Sequence, residues 1–183
     1  MAGPPDRVPV RAIVLLGLMG AGKTSVGRIV ADRLGWPLDD SDPQIRARTG
    51  RTVKELRDEI GTDGMHTLEA EHLLLALAAP RPRVITPSAW SIEDPACRAA
   101  LGEPGLLVAW LRADPEALAA RFADAAHRPA YGDDPATFLA AQLARRGPLY
   151  AQVADLILDT AAGGPERAAE AILAAVAARD GAV

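Results

Sequence analysis

The sequence predicts an α/β domain, a parallel sheet covered by helices on both faces, and three observations predict it. Short apolar runs alternate with longer helix-patterned stretches along most of the chain. Those runs are apolar throughout, as in strands buried on both faces, and do not alternate in polarity. The first run leads into a glycine-rich turn that opens a helix, which is the strand–loop–helix order of βαβ folds. A length of 183 residues suits one domain with a sizeable core. No repeat or low-complexity block divides it.

Residues 1–10 carry three of the prolines and read as a flexible leader, with a single domain over 11–183. The strands are expected at Ala12–Leu16, near Leu38, at Arg83–Thr86, at 106–111 and at 156–158. Helices are expected at Lys23–Leu34, 53–60, 67–79, 94–101, Pro115–Ala123, 136–145 and 165–178. Several starts are explicit: Asp94-Pro95, Asp114-Pro115 and Asp134-Pro135 each pair a capping carboxylate with a first-turn proline. The stretch 124–134 holds His-Arg-Pro and Gly-Asp-Asp and resists assignment. Such a long irregular connection suits a lid over a site.

Composition excludes several classes. The net charge of −4 argues against a nucleic-acid binder, which needs a basic face. No apolar run approaches the ~20 residues of a membrane span, so no membrane partner is expected. A single cysteine, Cys97, rules out an internal disulfide framework and any multi-cysteine zinc site. A cytoplasmic monomer is the expectation.

The strongest chemical signal is GLMGAGKTSVGR. Gly17, four residues, then Gly22-Lys23-Thr24 fits the P-loop pattern in the right place between strand and helix. Backbone N–H groups of the turn and the helix N-terminus favour phosphate. Lys23 has the reach for the β- and γ-phosphates, and Thr24 offers a hydroxyl to Mg²⁺. Gly20, Ala21, Gly22 and Ser25 complete the cradle. The chain is therefore expected to bind ATP with Mg²⁺. Further on, Asp40 and Asp42 stand two residues apart at the end of the second strand. That places two carboxylates on one side of the phosphate site, as a metal and an acceptor hydroxyl both require.

The P-loop with its flanks, DDSD, RTGRTV and ARRGPLY together resemble the shikimate kinase family, in register from about Ile13 to about Asp159. The resemblance implies a three-layer P-loop fold of the nucleoside-monophosphate-kinase type, with a five-stranded parallel sheet and a lid. It implies that Asp40 helps hold Mg²⁺ and that Asp42 binds the acceptor hydroxyls. It implies that Arg128 is the lid arginine, that Arg146 grips an acceptor carboxylate and that Arg121 lies near the adenine.

The chain departs from the family where the acceptor binds. The family's third strand ends in three glycines, and here Pro87 is followed by Ser88, Ala89 and Trp90. Proline removes a donor, and tryptophan brings up to ~250 Å² of ring surface. An arginine that pairs with the acceptor carboxylate is replaced by His66, which cannot offer a bidentate fork. An adenine-side arginine aligns with the stretch 161–164, which contains none. The expected function is thus an ATP-dependent kinase for a small hydroxylated metabolite other than shikimate, anionic because Arg146 remains. Two alternatives stay open: a shikimate kinase with a diverged pocket, and a nucleotide-binding regulatory module without transfer. The direction of Trp90 decides how much room the acceptor has.

Overall fold

The computed structural model describes residues 8–80, 82–123, 134–161 and 163–181. In chain order the strands are β1 (Ala12–Leu16), β2 (Leu38–Asp40), β3 (Arg83–Thr86), β4 (Leu106–Arg112) and β5 (Leu156–Asp159). The helices are α1 (Lys23–Leu34), α2 (Ser41–Thr49), α3 (Val53–Leu77), α4 (Pro95–Leu101), α5 (Pro115–Ala123), α6 (Pro135–Val153) and α7 (Gly164–Asp180). A single 3-10 turn covers Ser91–Glu93.

All pairings in the sheet are parallel, and the strand order is β2-β3-β1-β4-β5. The central strand β1 is buried at every position, as the unbroken apolar run demands. Beyond β1 the chain runs out to β2 and returns to β3, whereas β4 and β5 build on the other side. Ligands in such sheets bind outside the carboxyl ends of the strands, where the winding reverses. The glycine-rich turn, Asp40 and the segment 87–90 all follow those ends.

Every expected strand forms, but the helices differ in three places. The helices expected at 53–60 and 67–79 belong to one element, α3, kinked at Gly61, where φ is 71°. Only glycine takes that angle cheaply, so helical residues resume directly after it. Gly64 and Met65, ahead of the expected start at residue 67, therefore lie inside α3. A Thr52–Glu55 capping box starts the element. α2 is absent from the expected helices; it carries Pro43 in its first turn, where proline is tolerated because the N–H groups have no intrahelical acceptor. α6 runs past its expected end at Arg145, straight through Gly147-Pro148. What holds its last turns is burial: Tyr150 is 1% exposed, lies 5.6 Å from the Trp110 ring and donates its hydroxyl to the Ala89 carbonyl at 2.9 Å.

The stretch expected to be a loose leader enters the described residues at Val8. Its Val10 is buried and its N–H donates to Asp180 Oδ1 at 3.0 Å. The span 124–133, which holds Arg128 and nearly all of the expected lid, lies outside the described residues. Among the described residues no helix is long and apolar enough to cross a membrane.

Candidate active site

The turn after β1 is shaped by close packing. A Cβ on Gly17 would sit 2.5 Å from the Leu111 carbonyl oxygen, so the β1–β4 junction admits no side chain there. Gly22 caps α1, and Ala21 beneath it is buried. The Lys23 ammonium donates to the carbonyls of Gly17 and Leu18 at 2.9 and 3.2 Å, which holds it over the loop. Arg121, from α5, donates to the Gly20 carbonyl at 3.0 Å and to the Thr160 carbonyl at 2.9 Å. It therefore ties the loop to the end of β5, on the side where the nucleotide base is expected.

In the first turn of α1, the Thr24 hydroxyl donates to Asp40 Oδ2 at 2.8 Å. Two hard oxygen donors are thus side by side at the mouth of the loop, as Mg²⁺ requires. Among the described residues no three acidic, imidazole or thiol groups cluster to hold a metal unaided. A cation at Thr24 and Asp40 would complete its shell with phosphate and water oxygens, the usual habit of Mg²⁺. Asp42 sits in the first turn of α2, beside Ser41.

The opposite wall is built by α3, the segment after β3 and α6. Trp90 does not turn wholly into the core: its ring stacks on His66, centroids 4.0 Å apart and planes within 7°. Burial pushes the His66 pKa below its ordinary 6.5, and the Arg146 charge pushes it further, while Glu93 and Asp63 pull the other way. A neutral imidazole therefore stands where an arginine was expected to be missing. Ser88 and Ser91 share a hydroxyl contact of 3.1 Å. Ala89 is fixed through its carbonyl by Tyr150.

Two acidic residues in this wall were not picked out from the sequence. Glu69, one turn along α3 from His66, is 7% exposed. Burial raises its pKa and the Asp42 charge adds to that, against a hydrogen bond with Ser88 and the charges of Arg57 and Arg146. Spacing of three on one helix gave the available signal. The second is Glu93, whose Oε1 accepts from Arg146 Nε at 2.5 Å and from Arg145 Nη2 at 2.8 Å. It was hidden because the turn carrying it, Ser91–Glu93, lacks any helix periodicity.

Behind the wall, Asp39 joins three elements. Its carboxylate lies 2.9 Å from His72 Nε2 on α3 and 3.1 Å from Arg83 Nη1 on β3. Burial raises the Asp39 pKa, but His72 and Arg83 together outweigh burial and hold it below the ordinary value. The structure thus assembles Lys23, Thr24, Asp40 and Arg121 around the loop, and gathers His66, Trp90 and Arg146 opposite.

A family profile described as shikimate kinase matches residues 19–177. A shikimate kinase of Symbiobacterium thermophilum is 40% identical over 151 residues, covering 81% of this chain and 86% of its own length. One from Caulobacter vibrioides is 37% identical over 174 residues, covering 93% of this chain and 86% of its own. Among solved structures, shikimate kinase from Acinetobacter baumannii in complex with shikimate superposes with a TM-score of 0.85 at 30% identity. That match covers 92% of this chain and 94% of the other.

Proposed function

The chain belongs to the shikimate kinase family and is a small-molecule kinase with an alcohol acceptor, and from that premise we propose that its acceptor is a small polar metabolite other than shikimate. The observation that carries the reading is the Trp90–His66 stack. It fills, with two aromatic rings, a wall that the family leaves open with glycines and lines with an arginine.

In this reading the ATP phosphates lie on the loop and the first turn of α1, where helix geometry leaves N–H groups to meet them. Lys23 moves from its loop carbonyls to the phosphate oxygens. Thr24 and Asp40 would hold Mg²⁺, which supplies positive charge against the phosphates. Asp42 orients the acceptor hydroxyl and accepts its hydrogen bond. Arg128, assigned by resemblance, meets charge that develops in transfer. Positioning and charge stabilisation are most of what phosphoryl transfer asks of a protein. The acceptor, by contrast, is chosen by pocket shape and paired polar groups.

An ADP-release assay over shikimate, other cyclitols, sugar acids, polyols and hydroxy amino acids tests this. At least one other acceptor should exceed shikimate about tenfold in kcat/KM, a difference of about 1.4 kcal/mol in transition-state binding. The second reading, that shikimate itself is the acceptor, is favoured by the names of the relatives, and a clear preference for shikimate in that assay establishes it.

A further inference from the structure

Arg146 is the cation on which an acceptor carboxylate was expected to rest, and the chain already supplies a carboxylate to it. Glu93 Oε1 accepts from Arg146 Nε at 2.5 Å. The two side chains are 11% and 19% exposed, so the pair is drawn well out of water, where charge-assisted bonds are strong and an unpaired partner is costly. Arg145, at the rim, donates to the same oxygen and pins Glu93 from the other side. The backbone under Glu93 is fixed as well: its carbonyl and that of Ile92 both accept from Arg98 at 2.8 Å.

Besides Arg146, the cation whose charge reaches both His66 and Glu69 is Arg57, which stands exposed on α3. His66, whose pKa is depressed first by burial and then by Arg146, is neutral in this setting. Glu69 and Asp42 add carboxyl groups on the same side, and the Arg57 and Arg146 charges that reach Glu69 are set against them. The expectation of an anionic acceptor rested on Arg146, and in the structure that guanidinium is already paired with Glu93.

The geometry points to Glu93 as a specificity-determining residue that takes the place of an acceptor's acid group on Arg146, so that the site selects hydroxylated acceptors without an acid group, that is, uncharged polyols. This rests on the proposed reading of the wall as the acceptor site. An incoming carboxylate would have to displace Glu93 and leave it buried without its partner. Losing a charge-assisted contact of this kind costs roughly ten- to a hundredfold in binding. An uncharged hydroxyl group can hydrogen-bond to the paired Glu93 and Arg146 without breaking them apart.

The test compares matched acid and uncharged acceptors: shikimate with its carboxamide, and gluconate with glucitol. Each is assayed with the full chain and with Glu93→Gln, which keeps the shape and removes the charge. With the parent, the uncharged member of each measurable pair should have the higher kcat/KM, and Glu93→Gln should move every measurable ratio toward the acid by ten- to a hundredfold. If no member is turned over, calorimetric binding of the acids to the ADP–Mg²⁺ complex is read instead, and Glu93→Gln should tighten it at least tenfold. An unchanged ratio, or unchanged acid binding, overturns the inference. A parent that prefers gluconate also overturns it but leaves the wider reading intact. A parent that prefers shikimate over all the others overturns the wider reading.

Discussion

Trp90 lies flat against His66, with ring centroids 4.0 Å apart and planes within 7° of parallel. One ring follows β3 and the other projects from α3, so the contact bridges two elements. Its polar surroundings are set by Arg146 and Glu93, whose opposed charges both reach His66. In the proposed reading this wall faces the acceptor, whereas the glycine-rich turn after β1 keeps the P-loop residues.

Reopening the wall should restore the family's preference. Trp90→Gly combined with His66→Arg removes the stack and returns a guanidinium. We expect at least a tenfold gain in kcat/KM for shikimate over the parent, because one charge-assisted contact is worth about 1.5–3 kcal/mol. Steady-state ADP release reads it, and a double variant no better than the parent would show that the stack does not govern acceptor choice.

Nucleotide binding depends on Lys23. Lys23→Ala should weaken ATP–Mg²⁺ at least about a hundredfold in calorimetry, through loss of the cation at the β- and γ-phosphates. The thermal midpoint without nucleotide should move little, since the bonds from the lysine to the Gly17 and Leu18 carbonyls are local to the loop. Parent-like affinity in this variant contradicts the phosphate-loop reading.

Glu69 gives the wall a pH signature. Burial first, then Asp42, raises its folded pKa above the ordinary 4.5. A raised carboxyl binds its proton more tightly in the folded state. Its contribution to stability is therefore full below pH 4.5 and is lost as pH rises through the folded value. Relative to the parent, Glu69→Gln should gain stability as pH rises from 4 toward neutrality, read by urea unfolding at each pH. A difference that is flat across that range shows an ordinary, solvated Glu69.

Asp39 is a structural prediction. Removing it as Asp39→Ala takes from the buried His72 and the half-buried Arg83 the carboxylate that they share. The cost should be about 2–4 kcal/mol in urea unfolding at neutral pH. A loss below about 1 kcal/mol would class the cluster with surface ion pairs.

What was legible in the sequence divides along physical lines. Strands β1 and β4 announce themselves because a strand buried on both faces is an unbroken apolar run. That Lys23 and Thr24 open a helix directly after the glycine-rich turn was legible from the spacing of the P-loop pattern. α2 and the far end of α6 were not: Pro43, Gly147 and Pro148 are local breakers that packing overrides, above all through Tyr150. The missing arginine at His66 was legible by register, but its consequence was not. That Trp90 stacks on His66, and that Glu93 pairs with Arg146, depends on residues 24 and 53 positions apart meeting in space. No local pattern encodes either contact.

The most direct measurement of the central claim is kcat/KM of the unaltered chain for shikimate, with saturating ATP–Mg²⁺. An acceptor wall closed by Trp90 and His66 predicts a value at least about tenfold below that for the best acceptor in the panel, and well under ~10⁴ M⁻¹s⁻¹. A value at or above ~10⁴ M⁻¹s⁻¹, with no better acceptor found, would contradict the account and identify shikimate as the substrate.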